Sequence, residues 1–200
     1  IRYDGFHEIA YLHPKYFEAD VSVLNNIGVQ EGERYVIMRF VSWTASHDFG
    51  RGGFTLDDKK KIIMETSKHA KVFVSSESEL PDEIKDFAIH IPVDKIHDAL
   101  FFASLFVGDS QTMATEAAIL GTPTIRSNSF VGDNDMSNFI ELEDKYGLMY
   151  NIRDSKLAIE KAVELCLQKN IKSTWVAKRK KIFEDKLDVT DLIVKTVIGF

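Results

Sequence analysis

The sequence has 200 residues, of which 44% are hydrophobic and 28% are charged, as expected for a globular chain that encloses its own core. Its 25 basic and 31 acidic side chains give a formal net charge of -6, so we predict no nucleic-acid polymer as a partner. No stretch approaches the roughly 18 consecutive apolar residues of a transmembrane segment, and the start does not resemble a signal peptide. These features predict a soluble, cytoplasmic protein.

The single cysteine, Cys166, lies in the apolar stripe of a predicted helix, which indicates a small core residue. One thiol excludes a disulfide framework and a thiolate metal site within the chain. The six histidines are scattered without metal-ligand spacing. We therefore expect no metal and no cofactor.

Short β-branched runs alternate with amphipathic runs of helical length, which is typical of βαβ units around a parallel sheet. Burial on both faces explains why the short runs do not alternate in polarity. The pattern predicts a Rossmann-like, doubly wound α/β fold. The predicted strands are 35–41, 71–75, 87–91, 105–107 and 123–125, with 147–150 as a sixth.

Helices are predicted between and after these strands, together with a short early helix capped by Asp20 and stopped by Gly28. Residues 1–14 have no clear period and are predicted to be a connector from an upstream domain. Residues 15–185 would then form the α/β domain, and 186–200 a C-terminal helix. The main predicted helices are 56–69, 95–103, 111–120, 136–146 and 155–169, with two more toward the end.

The common Gly-rich dinucleotide, P-loop, zinc-helix and nucleophile-elbow motifs are absent from the sequence. Polar segments instead follow the predicted strands, and the carboxyl ends of parallel strands meet at one ligand-binding crevice. The first segment, 42–53, contains three glycines that let backbone approach a ligand. Its candidate phosphate or sugar contacts are Ser42, Thr44, His47 and Arg51. An exposed surface loop is the alternative.

Two further segments supply weaker candidates. Ser75 and Glu77 follow the second strand, although serine-rich acidic turns are ordinary surface features. His97 opens the helix after 87–91 and would line the same crevice, with a surface histidine as the alternative.

The segment from Gly108 to Glu116 has the most specific pattern of the candidate segments. An apolar strand stops at Gly108, and Asp109 or Ser110 is predicted to cap a helix whose backbone N–H groups and dipole suit a diphosphate. Gln111 and Thr112 form the first helical turn. Glu116 shares a helix face with Thr112 and can accept two hydrogen bonds from a ribose diol. The alternative is a capped structural helix with one solvated glutamate.

Several of these segments resemble segments of known protein families. The pattern from Gly108 to Ala117, followed by Gly121-Thr122-Pro123, resembles the nucleotide-binding half of GT-B-fold glycosyltransferases and sugar-nucleotide 2-epimerases. Three other segments resemble a bacterial and archaeal family of that fold, the domain of unknown function 354. They are Tyr3-Asp4-Gly5-Phe6-His7-Glu8, Arg39-Phe40-Val41-Ser42-Trp43 and Ser75-Ser76-Glu77.

The resemblance implies that Glu116 grips the nucleotide ribose and that Ser110 to Thr112 border the diphosphate. It also implies that the loop 42–53 covers the phosphates. Asp109 departs from the family pattern, because it adds a negative charge unless its side chain points away as a cap. A GT-B cleft lies between two domains, so only the C-terminal one is expected here, and this chain alone is expected to be inactive.

Three functions stay open. The first is a nucleotide-sugar-binding domain of a glycosyltransferase-like enzyme for bacterial surface polysaccharide or glycan synthesis. Its substrate would be a UDP-sugar, with a glycan or lipid-linked acceptor bound through the other domain. The second is a non-hydrolysing UDP-GlcNAc 2-epimerase-like enzyme. The third is a non-catalytic Rossmann-like binding module, because fold alone does not dictate function.

Overall fold

A computed structural model describes residues 2–41, 52–76 and 79–199 of the chain. Five parallel strands form one sheet in the order β2-β1-β3-β4-β5. This is the Rossmann-like α/β fold that the sequence predicts. The strands are β1 (Tyr35–Phe40), β2 (Lys71–Ser76), β3 (Leu105–Gly108), β4 (Thr124–Arg126) and β5 (Met149–Asn151).

Helices connect the strands and cover both faces of the sheet. Buried side chains from helices and strands form one continuous hydrophobic core. The helices are α1 (Ile9–Leu12), α2 (Val23–Asn26), α3 (Leu56–Ser67), α4 (Ile96–Phe102), α5 (Gln111–Ile119), α6 (Ser137–Asp144), α7 (Ser155–Leu167), α8 (Ile171–Asp185) and α9 (Val189–Ile198). Two 3-10 helices, Lys85–Phe87 and Val93–Lys95, precede α4.

The small-residue stripe on α5 allows close packing on the sheet. Ala114, Ala117 and Ala118 are all fully buried, as the sequence predicts. Cys166 is also buried in the core, and burial raises the pKa of its thiol to about 11. At neutral pH it is therefore an inert apolar side chain.

The predicted strand at 87–91 is wrong. The segment forms one isolated bridge, between Ala88 and Val74 at the outer edge of β2, after the 3-10 helix Lys85–Phe87. The segment has the period of a strand, because every second side chain packs against the core and those between are exposed. The packed side chains are Phe87, Ile89 and Ile91. A period of two reports an extended chain with one buried side, and does not require a ladder of hydrogen bonds.

The start of the short early helix also differs from the prediction. Ser22, not Asp20, occupies the N-cap position of α2. The Asp20 carboxylate instead accepts a hydrogen bond from the Ser22 backbone N–H and pairs with Lys95. The Asp20 side chain, which the sequence predicts as the helix cap, is therefore used in a local Asx turn and in an ion pair with Lys95.

The segment before α2 packs against the sheet domain. Phe6, Ile9 and Leu12 are buried in the common core. The segment is also tied to the C-terminal helix, because Thr190 donates a hydrogen bond to the Ala10 carbonyl oxygen and Leu187 donates to that of Asp4. Across the described residues, none of the helices combines the length and apolar character needed to cross a bilayer.

Candidate functional site

One row of residues crosses the carboxyl end of the sheet. The strand register places Arg39 of β1 beside Ser75 of β2 and Gly108 of β3, and then Gly108 beside Arg126 of β4. Asn151 of β5 ends the row. Glycine thus stands between two arginines at the centre of the sheet, where the strand-following loops meet.

The turn after β3 is packed tightly against β1. A side-chain Cβ added at Gly108 would lie 2.6 Å from the Arg39 carbonyl oxygen, so only glycine fits without a shift. The backbone N–H of Asp109 donates to the same carbonyl oxygen at 3.2 Å. From the other side, Asn128 donates its side-chain amide to the Asp109 carbonyl oxygen at 3.0 Å. The start of α5 is therefore held from both neighbouring strands.

The Asp109 side chain does not cap α5. It is buried, and its Oδ1 accepts a hydrogen bond from the Val41 backbone N–H at 2.8 Å. Gly53 approaches so closely that an added Cβ would lie 2.6 Å from Asp109 Cγ. The carboxylate therefore braces the two ends of the loop after β1, and this use of the side chain excludes the predicted capping role.

The first turn of α5 is accessible at the carboxyl edge. Ser110 occupies the N-cap position with an extended backbone, and its hydroxyl makes no capping hydrogen bond within the part of the chain that the structure describes. Thr112 is exposed, whereas Gln111 and Ser110 are half-buried. Backbone N–H groups at a helix start favour anions through their donors and the helix dipole.

Glu116 lies further along α5 in a pocket of aromatic and imidazole groups. The Tyr11 hydroxyl donates to Glu116 Oε1 at 2.9 Å, and His97 Nε2 lies 3.1 Å from the same oxygen. The Tyr11 and His97 rings pack together with centroids 5.4 Å apart. Only 10% of the Glu116 side chain is exposed, so it is not the solvated glutamate of the structural alternative.

Burial and charge set the protonation of two groups beside Glu116. Burial, and then the negative charge of Glu116, raises the pKa of the Tyr11 phenol, which therefore stays a hydrogen-bond donor at neutral pH. Burial also raises the pKa of the Glu8 carboxyl, and the negative charge of Glu116 adds to that rise. Burial and the charge of Glu116 therefore act in the same direction on the pKa values of both groups.

A polar cavity of about 200 Å³ lies beside the β3–α5 turn, at the starts of α3 and α7. Ser127 and Asn128, which line it, are buried polar residues directly after β4. The cavity is smaller than the roughly 300–1,000 Å³ of sites that enclose a whole drug-sized ligand. It has room for only part of such a ligand. Its lining residues are Gly52, Gly53, Thr55, Asp58, Ser127, Asn128, Ser129, Arg153 and Ser155.

The structure locates several of the residues singled out in the sequence. His97 lies beside Glu116, and Gly108 to Thr112 form one turn at the carboxyl edge. Ser75 lies in the register row, where its hydroxyl accepts a hydrogen bond from Arg39 Nη1 at 2.9 Å. Five other predicted contacts lie outside the described residues, namely Ser42, Thr44, His47, Arg51 and Glu77.

Two groups of site residues were missed in the sequence. Ser127 to Ser129 follow β4 and obey the same strand-end rule that selected the other segments, so the signal was present. Tyr11 gave no such signal, because its contact with Glu116 joins positions 105 residues apart. Among the described residues, no group of three His, Cys, Asp or Glu side chains is placed to hold a metal ion.

Several solved structures have a similar fold. The glycotransferase of kitacinnamycin superposes with a TM-score of 0.53 and 13% identity, over 83% of this chain and 44% of that chain. A "putative UDP-N-acetylglucosamine 2-epimerase" from Listeria monocytogenes gives 0.59 and 15%, over 94% and 50%. The wall teichoic acid polymerase TagF gives 0.53 and 15%, over 89% and 47%.

The parallel sheet and these similarities define the chain as a Rossmann-like unit with the fold of one half of a GT-B protein. It spans about half the length of the solved chains that it matches. The chain belongs to the family described as "Protein of unknown function (DUF354)", which matches residues 1–200. No curated protein matches the sequence.

Proposed function

We propose that this chain is the nucleotide-sugar-binding part of a glycosyltransferase-like enzyme. The observation that carries the proposal is the arrangement of α5 at the carboxyl edge of the sheet. Its accessible first turn offers backbone donors to a diphosphate, and Glu116 lies about 7.5 Å further along the helix, on the face that it shares with Thr112. This spacing suits a diphosphate joined to a ribose.

The placement of Asp109 removes an objection to this site. A carboxylate pointing into the helix start would repel a diphosphate. Asp109 is instead buried and accepts a hydrogen bond from the Val41 N–H, so its charge is directed toward the backbone after β1. The N–H groups of the first turn of α5 then act on the ligand without a competing carboxylate among them.

The polar cavity beside the turn supplies a place for the remainder of the ligand. Its Ser127 hydroxyl offers a donor and an acceptor, and the exposed Arg153 adds a cation. We assign this cavity to a phosphate or sugar group of the donor. The donor would be a UDP-sugar, and the acceptor, a glycan or lipid-linked glycan, would bind to the other half of a GT-B cleft.

The similar proteins support a place in bacterial surface polysaccharide or glycan synthesis, because one of them is a wall teichoic acid polymerase. A second candidate is a non-hydrolysing UDP-GlcNAc 2-epimerase-like reaction. The similarity to the Listeria protein favours this reaction, because that structure has the highest TM-score of the three compared and its alignment covers 94% of this chain.

The test is a calorimetric titration of the full-length protein with UDP-, GDP-, CMP- and dTDP-sugars. We expect saturable binding of a UDP-sugar, and no binding of any of the four classes would refute the proposal. Incubation with UDP-GlcNAc, followed by NMR, separates the two reactions. Release of UDP only when a glycan acceptor is added indicates transfer, and appearance of the 2-epimer without an acceptor indicates epimerisation. Binding without either product would indicate a non-catalytic module.

A further inference from the structure

Glu116 does not approach the candidate ligand site as a freely rotating side chain. Both of its described hydrogen-bonding contacts, with the Tyr11 hydroxyl and with His97 Nε2, are made to the same oxygen, Oε1. A carboxylate oxygen accepts hydrogen bonds, so His97 acts as a donor in this contact in the tautomer that carries its proton on Nε2. Two donors on one oxygen restrain the rotation of the carboxylate, and Oε2 accepts no hydrogen bond within the described part of the chain.

The two donors are themselves held in place. His97 lies on the first turn of α4, and its ring packs against Tyr11 at 5.4 Å and against the edge of Phe17 at 6.3 Å. Tyr11 belongs to α1, whose neighbours Ile9 and Leu12 are fully buried. The orientation of Glu116 is therefore set by two helices that precede α5 in the chain.

We propose that Tyr11 and His97 are positioning residues that aim Glu116 Oε2 at the ribose hydroxyls of the nucleotide, so that the site selects ribonucleotides over nucleotides that lack those hydroxyls. This inference rests on the proposed function. A restrained carboxylate loses little side-chain entropy when it accepts two hydrogen bonds from a cis-diol. A freely rotating carboxylate would lose that entropy on binding, and the loss would reduce the affinity. A ligand without the diol would gain nothing from this arrangement.

The contact itself is measurable without any ligand. The charge of Glu116 raises the pKa of the Tyr11 phenol, in addition to the effect of burial. In Glu116→Gln, the phenol should ionise at lower pH than in the wild type, although burial keeps its pKa above the ordinary value. Tyrosine labelled with ¹³C at Cζ and assigned with Tyr11→Phe reports this change by NMR. A Tyr11 Cζ chemical shift that is the same in the wild type and in Glu116→Gln, over the whole pH range in which both are folded, would refute the contact on which the inference depends.

The ligand experiment compares Tyr11→Phe with Tyr16→Phe in the full-length protein. Tyr16 is a matched control, because its hydroxyl donates to the Asp188 carboxylate, also at 2.9 Å, outside the Glu116 pocket. The ligands are UDP and 2′,3′-dideoxy-UDP, titrated by calorimetry. We expect Tyr11→Phe to weaken UDP by roughly 3- to 10-fold and to leave dideoxy-UDP unchanged, whereas Tyr16→Phe changes neither. His97→Ala should repeat this pattern, and His97→Gln, which retains an amide donor, should restore binding in part.

The outcomes separate the two proposals. If the wild type binds neither UDP nor any of the four nucleotide-sugar classes, the nucleotide site is refuted, and its ribose selection with it. If the wild type binds UDP and Tyr11→Phe weakens both ligands equally, the nucleotide site stands and the positioning role is refuted. The same conclusion holds if Tyr11→Phe weakens neither ligand. Equal effects of Tyr11→Phe in the wild-type and Glu116→Gln backgrounds would also refute positioning, because a residue that acts through Glu116 must show coupling to it.

Discussion

The hydroxyl of Tyr11 donates to Glu116 Oε1 at 2.9 Å, although the two residues are 105 positions apart in the chain. This contact brings the segment before β1 into the candidate site. It also changes the physical description of Glu116, which is an enclosed, hydrogen-bonded carboxylate on the side of α5 that faces α1 and α4. Substitutions at Glu116 must therefore be judged for their effect on this cluster as well as on ligand binding.

Glu116→Gln should weaken UDP binding by roughly 10- to 150-fold, because a lost hydrogen bond to a charged group costs about 1.5–3 kcal/mol. The effect should shrink for 2′,3′-dideoxy-UDP, which lacks the groups that Glu116 would bind. Titration calorimetry on the full-length protein measures both. Equal affinities of the wild type and Glu116→Gln for UDP would remove Glu116 from the site.

Stability provides the control for this substitution. The glutamine carbonyl still accepts from Tyr11 and His97, so the free energy of unfolding should fall by less than about 1.5 kcal/mol in urea denaturation. Glu116→Leu should lose more, since it leaves both donors without an acceptor. If Glu116→Gln unfolds the protein, its binding result must be replaced by that of the Tyr11→Phe variant.

Gly53→Ala should destabilise the protein by about 1–3 kcal/mol, because the added methyl would overlap the buried Asp109 side chain. The loop end and the β3–α5 turn would have to separate, so UDP binding should weaken as well. Gly52→Ala is the matched control. Among the described residues its added methyl would meet nothing within 4 Å, and its N–H can still donate to Ser129. Similar melting temperatures for the two variants would contradict the close packing of Gly53 on Asp109.

Much of this fold follows from local patterns in the sequence. The strands β1, β2, β3 and β4 were predicted because continuous apolar runs mark strands that are buried on both faces, and the boundaries differ by one residue at most. The segment 87–91 was misassigned because its alternating pattern reports one-sided burial and cannot tell a paired strand from an extended chain. Pairing depends on backbone neighbours, which no local pattern shows.

The candidate site also has a part that local sequence patterns predict and a part that they do not. Gly108 to Glu116 could be predicted, because a strand, a turn and a helix follow one another directly in the chain. The role of Asp109 could not, since its acceptor capacity is used by Val41, a residue 68 positions away. Tyr11 likewise depends on tertiary packing of a segment that shows no periodicity of its own. Such long-range polar contacts are specified by the assembled core.

Asp135→Asn should destabilise the protein by about 3–5 kcal/mol, because it leaves a buried guanidinium without its counter-charge. Arg126 is fully buried, stacks on Phe139 at 3.5 Å and pairs with Asp135 through Nη2. Its Nε and Nη1 have no hydrogen-bond partner among the described residues. The exposed neighbour Asp133 provides the control, and Asp133→Asn should change the urea midpoint little. Equal midpoints for the two variants would show that Arg126 does not depend on Asp135.

The last prediction concerns Lys172, whose ammonium lies between α8 and the region before β3. It donates to the carbonyl oxygens of Phe101 and Ala103 and to the Thr122 hydroxyl, and burial, with a smaller contribution from Arg179, lowers its pKa to about 7. The folded pKa lies below the unfolded value of 10.5, so the unfolded chain holds the extra proton between these two pH values. Stability contributed by this group must therefore rise as pH increases from 7 toward 10.5, by at most about 1.4 kcal/mol per pH unit. Lys172→Met keeps most of the side-chain volume and removes the titrating group, so its free energy of unfolding should rise less steeply over this interval than that of the wild type. Urea denaturation at pH 7.5, 8.5 and 9.5 measures the two slopes, and the difference between them cancels the contributions of all other titrating groups. Parallel slopes would mean that the three oxygen acceptors hold Lys172 charged throughout and that burial does not determine its protonation.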